Sequence, residues 1–247
     1  MILTHGANSV NTKSRPSLIY LSYFNNFDLT TKVDTPIIGD PISWNNQYPT
    51  YTKTTLHCMD IDLPAINISD TNTSNNWEIP GVIPISDLVD VWSVEYFFYI
   101  PYRNTDHGIV AMFVNDIKNI GCDPFGWGGG FIGSLSNTSN VQAYNGATII
   151  GSGSDGRISL PFNVYNTLCH GAIILNSTTN SVKVYINGDL YCSYVYNLGI
   201  PHQAKPFLRP KDSWSGSMTQ VAVFNYDRST NNGMNYPVPT NPYYPII

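Results

Sequence analysis

Apolar and polar residues alternate along several segments of this chain. The clearest segments are residues 17–24, 91–102, 181–186, 189–196 and 217–225. Successive side chains of a β-strand point to opposite faces, so this alternation predicts strands. No window of about 12 or more residues keeps helical apolar spacing without an interrupting Pro, Gly or β-branched cluster. The pattern therefore predicts an all-β fold.

The segment "VWSVEYFFYIPY" at residues 91–102 is predicted to be a central strand. One of its faces is wholly apolar or aromatic, and the other carries Ser93, Glu95, Phe97 and Tyr99. A strand with apolar residues on both faces is typical of a position covered on both sides. We expect residues 108–114, "GIVAMFV", to pair with it.

Residues 167–175, 181–186 and 189–196 are predicted to form a three-stranded meander. Asn187-Gly188 between the last two strands favours a type I′ hairpin turn. The last strand is predicted at residues 217–225. We expect its Val221–Phe224 part to lie beside the hairpin.

The remaining segments are less regular. A short strand is predicted at residues 55–61, between two loops at 34–50 and 62–90. Residues 1–16 are expected to form a polar N-terminal arm. The tail, residues 230–247, contains four Pro and is expected to lie extended against another surface.

The length and composition of the chain limit the number of domains and the classes of partner that we expect. A chain of 247 residues is long enough for one sandwich domain, so residues 1–247 are taken as a single domain. Charged residues make up 12% of the chain, and the formal net charge is −5 with 12 Lys+Arg. Because phosphate backbones are bound chiefly by Lys and Arg, a nucleic-acid partner is not expected.

No apolar run approaches the ~18 residues of a membrane span, so no membrane association is expected. Residues 1–16 also lack the basic region and apolar stretch of a secretory signal. We therefore expect the chain to have neither a signal peptide nor a transmembrane segment.

Four segments together resemble a known family. They are "LIYLSYFNNFD", "WSVEYFFYIPY", "TLCHGAIILNSTTNSVKVYINGDL" and "WSGSMTQVAVFNYDR". In this order they resemble the laminin G-like branch of the concanavalin A-like lectin/glucanase superfamily, as found in bacteriophage virion proteins. The resemblance covers roughly residues 17–30 and 91–230 and implies an all-β fold that is an antiparallel β-sandwich, a concanavalin A-like jelly roll. It departs from the family where Leu168 and Cys169, not Trp, precede His170.

Glycoside hydrolases of this superfamily carry several carboxylates on one face of a strand. Retaining chemistry needs two carboxyl groups ~5–5.5 Å apart. Here the central strand offers Glu95 alone, and the segment "CMDIDLP" offers only two carboxylates, Asp60 and Asp62. No catalytic residues are therefore assigned, and no enzyme is predicted. His170 is expected to pack at a sheet edge and bond to the backbone.

No cofactor is predicted. Calcium binds through clustered loop carboxylates, and the spacing of such residues here matches no dedicated loop, so no metal ligand is assigned. The four cysteines, Cys58, Cys122, Cys169 and Cys192, form no C-x-x-C pair and are predicted to be free buried thiols. The one disulfide pairing left open is Cys169–Cys192.

Glycan binding is the common use that the resemblance implies. Sugars stack on exposed aromatic rings and hydrogen-bond to polar side chains. The candidate contacts are Trp127, Trp77, Asn137 and Tyr144. Trp214 is expected to be structural.

The predicted function is a non-enzymatic virion structural and adhesion protein, as part of capsid decoration, a head fibre or a tail fibre. In this interpretation other virion proteins are its partners, it is oligomeric and exposed on the virion surface, and it binds host-surface glycans weakly. The alternative is a free carbohydrate-binding lectin, and a glycoside hydrolase is the third hypothesis.

Overall fold

The computed structural model describes fourteen parts of the chain. They are residues 17–43, 50–69, 90–99, 101, 112–113, 131–135, 138–142, 147–150, 157–159, 166–176, 178–179, 181–196, 208–209 and 215–243. The predicted arm at residues 1–16 lies outside them. None of the helices found in these parts is long and apolar enough to cross a membrane.

Strands dominate the described residues, as the alternating pattern predicts. They are β1 Leu18–Ser22, β2 Phe27–Asp28, β3 Val33–Asp34, β4 Ile42–Ser43, β5 Thr50–Cys58, β6 Ile61–Ser69, β7 Val91–Tyr99, β8 Met112–Phe113, β9 Phe131–Leu135, β10 Thr138–Gln142, β11 Ala147–Ile150, β12 Arg157–Ser159, β13 Leu168–Asn176, β14 Ser181–Ile186, β15 Asp189–Tyr196, β16 Leu208–Arg209 and β17 Ser215–Phe224. One short 3₁₀ turn follows at Asn231–Gly233.

Nine of these strands form one antiparallel sheet. Their order is β11-β15-β14-β13-β7-β17-β6-β5, and β1 also pairs with β17. The other strands form three small sheets, β12-β10-β9, β16-β8 and β2-β3-β4. The architecture is an antiparallel β-sandwich, and the predicted fold class is confirmed.

Strand β7 lies at the centre of the large sheet, as predicted. It pairs with β13 on one side and with β17 on the other. Seven of its nine residues are buried. The predicted partner at residues 108–114 was wrong, because β8 pairs with β16 instead.

The large sheet has two different faces. Its apolar face carries Trp92, Val94 and Phe98, all 0% exposed. Its polar face carries Ser93, Glu95 and Phe97, and the cross-strand register adds further members: His170, Ala172, Thr219, Ala222 and Phe224. Both faces of β7 are buried, and Glu95 is the one charged residue of this strand.

The meander of β13, β14 and β15 forms as predicted. Asn187 and Gly188 both adopt positive φ, 50° and 91°, which is the geometry of a type I′ turn. The hairpin and β17 share the large sheet but are not side by side, because β13 and β7 lie between them.

The prediction of a loop from residue 62 was wrong in part. Residues Ile61–Ser69 form β6, which pairs with all nine residues of β5. Met59 and Asp60 close this hairpin with φ of 54° and 60°. Pro64 misled the sequence interpretation because proline rarely occurs inside a sheet.

Two of the cysteines can be assessed. Cys58 and Cys169 are free and buried, which confirms the thiol prediction for both and excludes the Cys169–Cys192 bridge. Burial raises the pKa of Cys58 to about 12 and that of Cys169 to about 11. Both are therefore neutral thiols at physiological pH.

Candidate functional site

The four predicted glycan contacts cannot be compared with the structure. Trp77, Trp127, Asn137 and Tyr144 all lie outside the described residues. They stay predictions. Within the described parts of the chain, polar chemistry is concentrated instead around Glu95.

Glu95 occupies the middle of β7 and faces the polar side of the sheet. It lies opposite Ala172 on β13 and Ala222 on β17. These small neighbours leave room above the sheet for its carboxylate and for a partner. Glu95 is nevertheless 0% exposed, and a buried carboxylate requires compensation.

A guanidinium supplies that compensation. Arg228 Nη1 donates to Glu95 Oε2 at 2.5 Å. The Tyr243 hydroxyl donates to the other carboxylate oxygen, Glu95 Oε1, and Arg228 also donates to the Tyr243 hydroxyl oxygen. The three side chains therefore form a closed set of charge-assisted hydrogen bonds.

Aromatic rings surround the guanidinium. Arg228 Cζ lies 4.1 Å from the ring centroid of Phe224, 5.5 Å from that of Tyr236 and 5.4 Å from that of Tyr243. Ring faces attract a cation, most strongly where water is excluded. The side chain of Arg228 is only 15% exposed. Packing and charge thus hold this arginine in the same place.

Ser93 positions the backbone that carries Arg228. Its hydroxyl donates to the Tyr226 carbonyl oxygen at 2.6 Å. The Arg228 N–H in turn donates to Ser93 Oγ at 3.2 Å. Because Ser93 and Glu95 are two residues apart on one strand, a single polar face fixes both the main chain and the side chain of Arg228.

His170 is the remaining polar residue of this group. It lies on β13 opposite Phe97, its side chain is 2% exposed, and its Nε2 lies 4.0 Å from Glu95 Oε1. Its ring meets the Phe97 ring edge-on at 5.1 Å between centroids. The expectation of a sheet-edge histidine bonded to backbone was wrong, because β13 is an interior strand and the ring faces the carboxylate.

The charges determine how these groups titrate. Burial acts to raise the pKa of Glu95, but His170, Arg228 and Tyr243 together lower it below its ordinary value. Burial and the Glu95 charge raise the pKa of Tyr243, and the same two causes raise that of Tyr236. Glu95 is therefore ionised at neutral pH, and both tyrosines are protonated.

We call residues 225–243 the C-terminal strap, because they cross the polar face from Glu95 to the β14–β15 hairpin. At the far end, the Tyr236 N–H donates to the Gly188 carbonyl at 2.7 Å, and the Leu190 N–H donates to the Met234 carbonyl at 3.0 Å. The Tyr185 hydroxyl donates to the Gly233 carbonyl at 2.8 Å. The tail was expected to lie against another surface, and its described part lies on its own sheet.

The arrangement acts as a clamp. Its carboxylate is buried and already bonded twice, so it has no free face toward solvent. We name the five residues Glu95, Arg228, Tyr243, His170 and Tyr236 the strap clamp. In the described residues, no group of three or more His, Cys, Asp or Glu side chains is placed to hold a metal ion.

Sequence reasoning singled out Glu95 and His170 but missed Arg228, Tyr236 and Tyr243. Arg228 lies 133 residues from Glu95 along the chain. The available signal was the "NYDR" ending of the last strand, together with tyrosines in a tail otherwise rich in Pro and Asn. Those tyrosines gave a reason to expect a packed tail but did not identify what it packs against.

Comparison with known proteins gives a fold. No family model matches the chain, and no curated protein matches it. Among solved structures it is similar to the carbohydrate esterase of the Shiga toxin-encoding bacteriophage phi24B. The TM-score is 0.53 at 9% identity, over 85% of this chain and 99% of that one.

Two further solved structures align less well. The galectin LEC-6 of Caenorhabditis elegans has a TM-score of 0.37 at 11% identity, over 57% of this chain and 87% of that one. The heptameric SAP-like pentraxin of Limulus polyphemus has a TM-score of 0.35 at 17% identity, over 55% of this chain and 64% of that one. With TM-scores below 0.5, these two alignments carry no argument, and the likeness to the bacteriophage esterase, at 9% identity, shows the fold alone.

Proposed function

We propose that the chain is a non-enzymatic structural and adhesion component of a virus particle. It is part of a capsid decoration, a head fibre or a tail fibre, with a laminin G-like sandwich that binds host glycans weakly. Its partners are other virion proteins, and it works as an oligomer on the particle surface. No cofactor is required for this role.

The strap clamp is the observation that supports a structural role best. Glu95 is the one carboxylate on the central strand, and a retaining glycosidase would need it beside a sugar and a second carboxylate. Here its side chain is 1% exposed and is bonded to Arg228 and Tyr243. That carboxylate is therefore used to fasten the strap.

The fold likeness to a bacteriophage protein agrees with the proposed setting. That protein is described as a carbohydrate esterase, but an identity of 9% transfers no activity to this chain. The composition supports the same setting, because charged residues make up only 12% of the chain.

The direct test is the protein content of purified particles. Particles from the phage or prophage that encodes the chain are purified and examined by mass spectrometry and by gold-labelled antibodies. We expect the chain on the particle surface, and portal, capsid and tail genes beside its own gene. A chain that is monomeric and missing from intact particles would contradict the proposal.

A glycan array distinguishes the alternative, a free lectin, from a virion component. Binding that is strong without particles, and that disappears in Trp127→Ala or Trp77→Ala, would favour it. Met234→Ala is the matched control, because Met234 lies on the strap and is 55% exposed. Release of reducing sugar that is lost in Glu95→Gln would instead revive the hydrolase hypothesis.

A further inference from the structure

The edges of the large sheet are not alike. β5 forms one edge and is nine residues long, with β6 as its one ladder partner among the described strands. Residues Thr52–Thr55 are all exposed. The register with β6 runs through nine residue pairs without a bulge.

The other edges are closed or short. β11, at the opposite end of the sheet, has four residues. The outer side of β1 is covered by its own chain, since Leu21 N–H donates to the Ile38 carbonyl at 3.0 Å and Ile37 N–H donates to the Leu21 carbonyl at 2.8 Å. A long, regular edge strand that no other described strand covers, such as β5, is a template for pairing with another chain.

The lysine on β5 does not protect this edge from pairing with another strand. A lysine on an edge strand normally discourages pairing by placing its charge in the path of an approaching strand. Lys53 Nζ instead donates to the Asn25 carbonyl at 3.1 Å. Its charge is thus directed back toward its own chain. Threonine, which favours strands, fills four of the first six positions of β5.

The hydrogen bonds of β6 show which way the groups of β5 point. Thr219 Oγ1 on β17 donates to the Pro64 carbonyl at 2.5 Å, so that carbonyl faces β17. The N–H and C=O of one strand residue point to the same side. Thr55 is paired with Pro64, so its own N–H and C=O face away from β6. With a period of two, those of Lys53 and His57 do the same.

We propose that β5 pairs antiparallel with β5 of a second copy of this chain, about a two-fold axis at Thr54. This register overlaps all nine residues and places Lys53 opposite Thr55 of the other copy, so no like charges meet. An axis at Lys53 would oppose two lysines. The dimer supplies an interface for the oligomer of the proposed function and rests on that proposal.

The first test removes one outward donor. Thr55→Pro deletes the N–H that faces the second copy while leaving the bonds to β6 in place, and Thr55→Val is the matched control that keeps it. By sedimentation equilibrium we expect a dimer for the wild type and for Thr55→Val. For Thr55→Pro we expect the dissociation constant of the dimer to be at least tenfold larger. A monomeric wild type, or a dimer unchanged in a Thr55→Pro variant that stays folded by circular dichroism, would overturn the dimer.

The second test determines which residues of the two β5 strands lie opposite each other. Thr54 residues of the two copies would face each other in a non-hydrogen-bonded pair, ~4.5 Å apart between Cα atoms. Oxidised Thr54→Cys should form a cross-linked dimer, because this distance suits a disulfide. Thr52→Cys should not, since two such residues would be about 13 Å apart. Cross-linking of Thr52→Cys but not Thr54→Cys refutes this register. A dimer that is absent from particles would leave the interface standing and remove the virion role.

Discussion

Two buried carboxylates, Glu95 on β7 of the large sheet and Asp34 on β3 of a small sheet, have pKa values that are shifted in opposite directions. Glu95 and Asp34 are both 0% exposed. Glu95 on the polar face is bonded to the Arg228 guanidinium. Asp34 accepts a hydrogen bond from the Tyr20 hydroxyl at 3.0 Å, and its Oδ1 has no hydrogen-bond partner among the described residues.

Their pKa values separate accordingly. At Glu95 the neighbouring groups outweigh burial, and the pKa is lowered. At Asp34 burial outweighs Ser22, Tyr20 and the charge of Lys53, and the pKa is raised. Burial is common to both sites, so what separates them is the partner. At Glu95 the combined effect of His170, Arg228 and Tyr243 exceeds that of burial, whereas at Asp34 the effect of burial exceeds that of the partners.

The largest expected effect comes from removing the cation. Arg228→Met keeps most of the side-chain volume but leaves Glu95 buried without its partner, so the free energy of unfolding should fall by about 3–5 kcal/mol. Chemical denaturation at neutral pH measures this. The double variant Glu95→Gln/Arg228→Met should recover part of the loss, because no unpaired charge remains. A loss below about 1 kcal/mol in the single variant would mean that the pair contributes little.

The pH dependence of stability should have opposite signs at the two sites. The contribution of Glu95 is complete above its ordinary pKa of 4.5 and is lost as the pH falls below that value through its lowered folded pKa. The contribution of Asp34 is complete below its ordinary pKa of 3.8 and is lost as the pH rises through its raised folded pKa.

Unfolding titrations from pH 3 to pH 7 distinguish the pH dependence of stability at Glu95 from that at Asp34. The stability advantage of the wild type over Glu95→Gln should shrink as the pH falls. The stability of the wild type relative to Asp34→Asn should decline as the pH rises. Parallel curves for the wild type and either variant would show that the charge of that carboxylate does not differ between the folded and unfolded states.

An apolar substitution provides the baseline without charge. Ile66 lies on β6 and is 0% exposed. Ile66→Val removes one methylene group and should cost about 0.5–1.5 kcal/mol, through lost burial and a small cavity. The same loss is expected at every pH between 4 and 7. A loss that varied with pH would point to coupling with one of the buried carboxylates.

The smallest effect is expected at an exposed carboxylate. His57 Nδ1 and Asp62 Oδ1 lie 2.8 Å apart, with side chains 70% and 72% exposed. Water screens such a pair, so Asp62→Asn should change the free energy of unfolding by less than about 1 kcal/mol. Chemical denaturation at neutral pH measures this change. A loss comparable to that of Arg228→Met would remove the distinction between buried and exposed pairs.

Local patterns predicted much of the fold. Alternation located β14, β15 and β17, because a half-buried strand needs one apolar face, and apolar residues on both faces located the central strand β7. Asn187-Gly188 predicted its turn because both positions require positive φ. Met59 and Asp60 also have positive φ at their turn but lack the Asn-Gly sequence, so the β5–β6 hairpin was predicted only in part.

Strand order and the clamp could not be predicted in this way. No local rule connects Glu95 with Arg228, which lies beyond the end of β17, or with His170 on β13. They meet because β13 and β17 flank β7, with Ala172 and Ala222 opposite Glu95. The wrong partner for β7 had the same origin, since residues near in sequence were preferred to more distant ones.

The sequence by itself determined that this chain is built of antiparallel strands, where several of them run and which turn closes the β14–β15 hairpin. Each of these depends on interactions between residues close in the chain. Only the tertiary structure decided which strands are neighbours, which face the strap covers and which buried carboxylate receives a cation. Those outcomes depend on contacts between residues far apart in the chain, from 48 positions for Tyr185 and Gly233 to 133 positions for Glu95 and Arg228, and the packing of the whole sheet selects among competing partners.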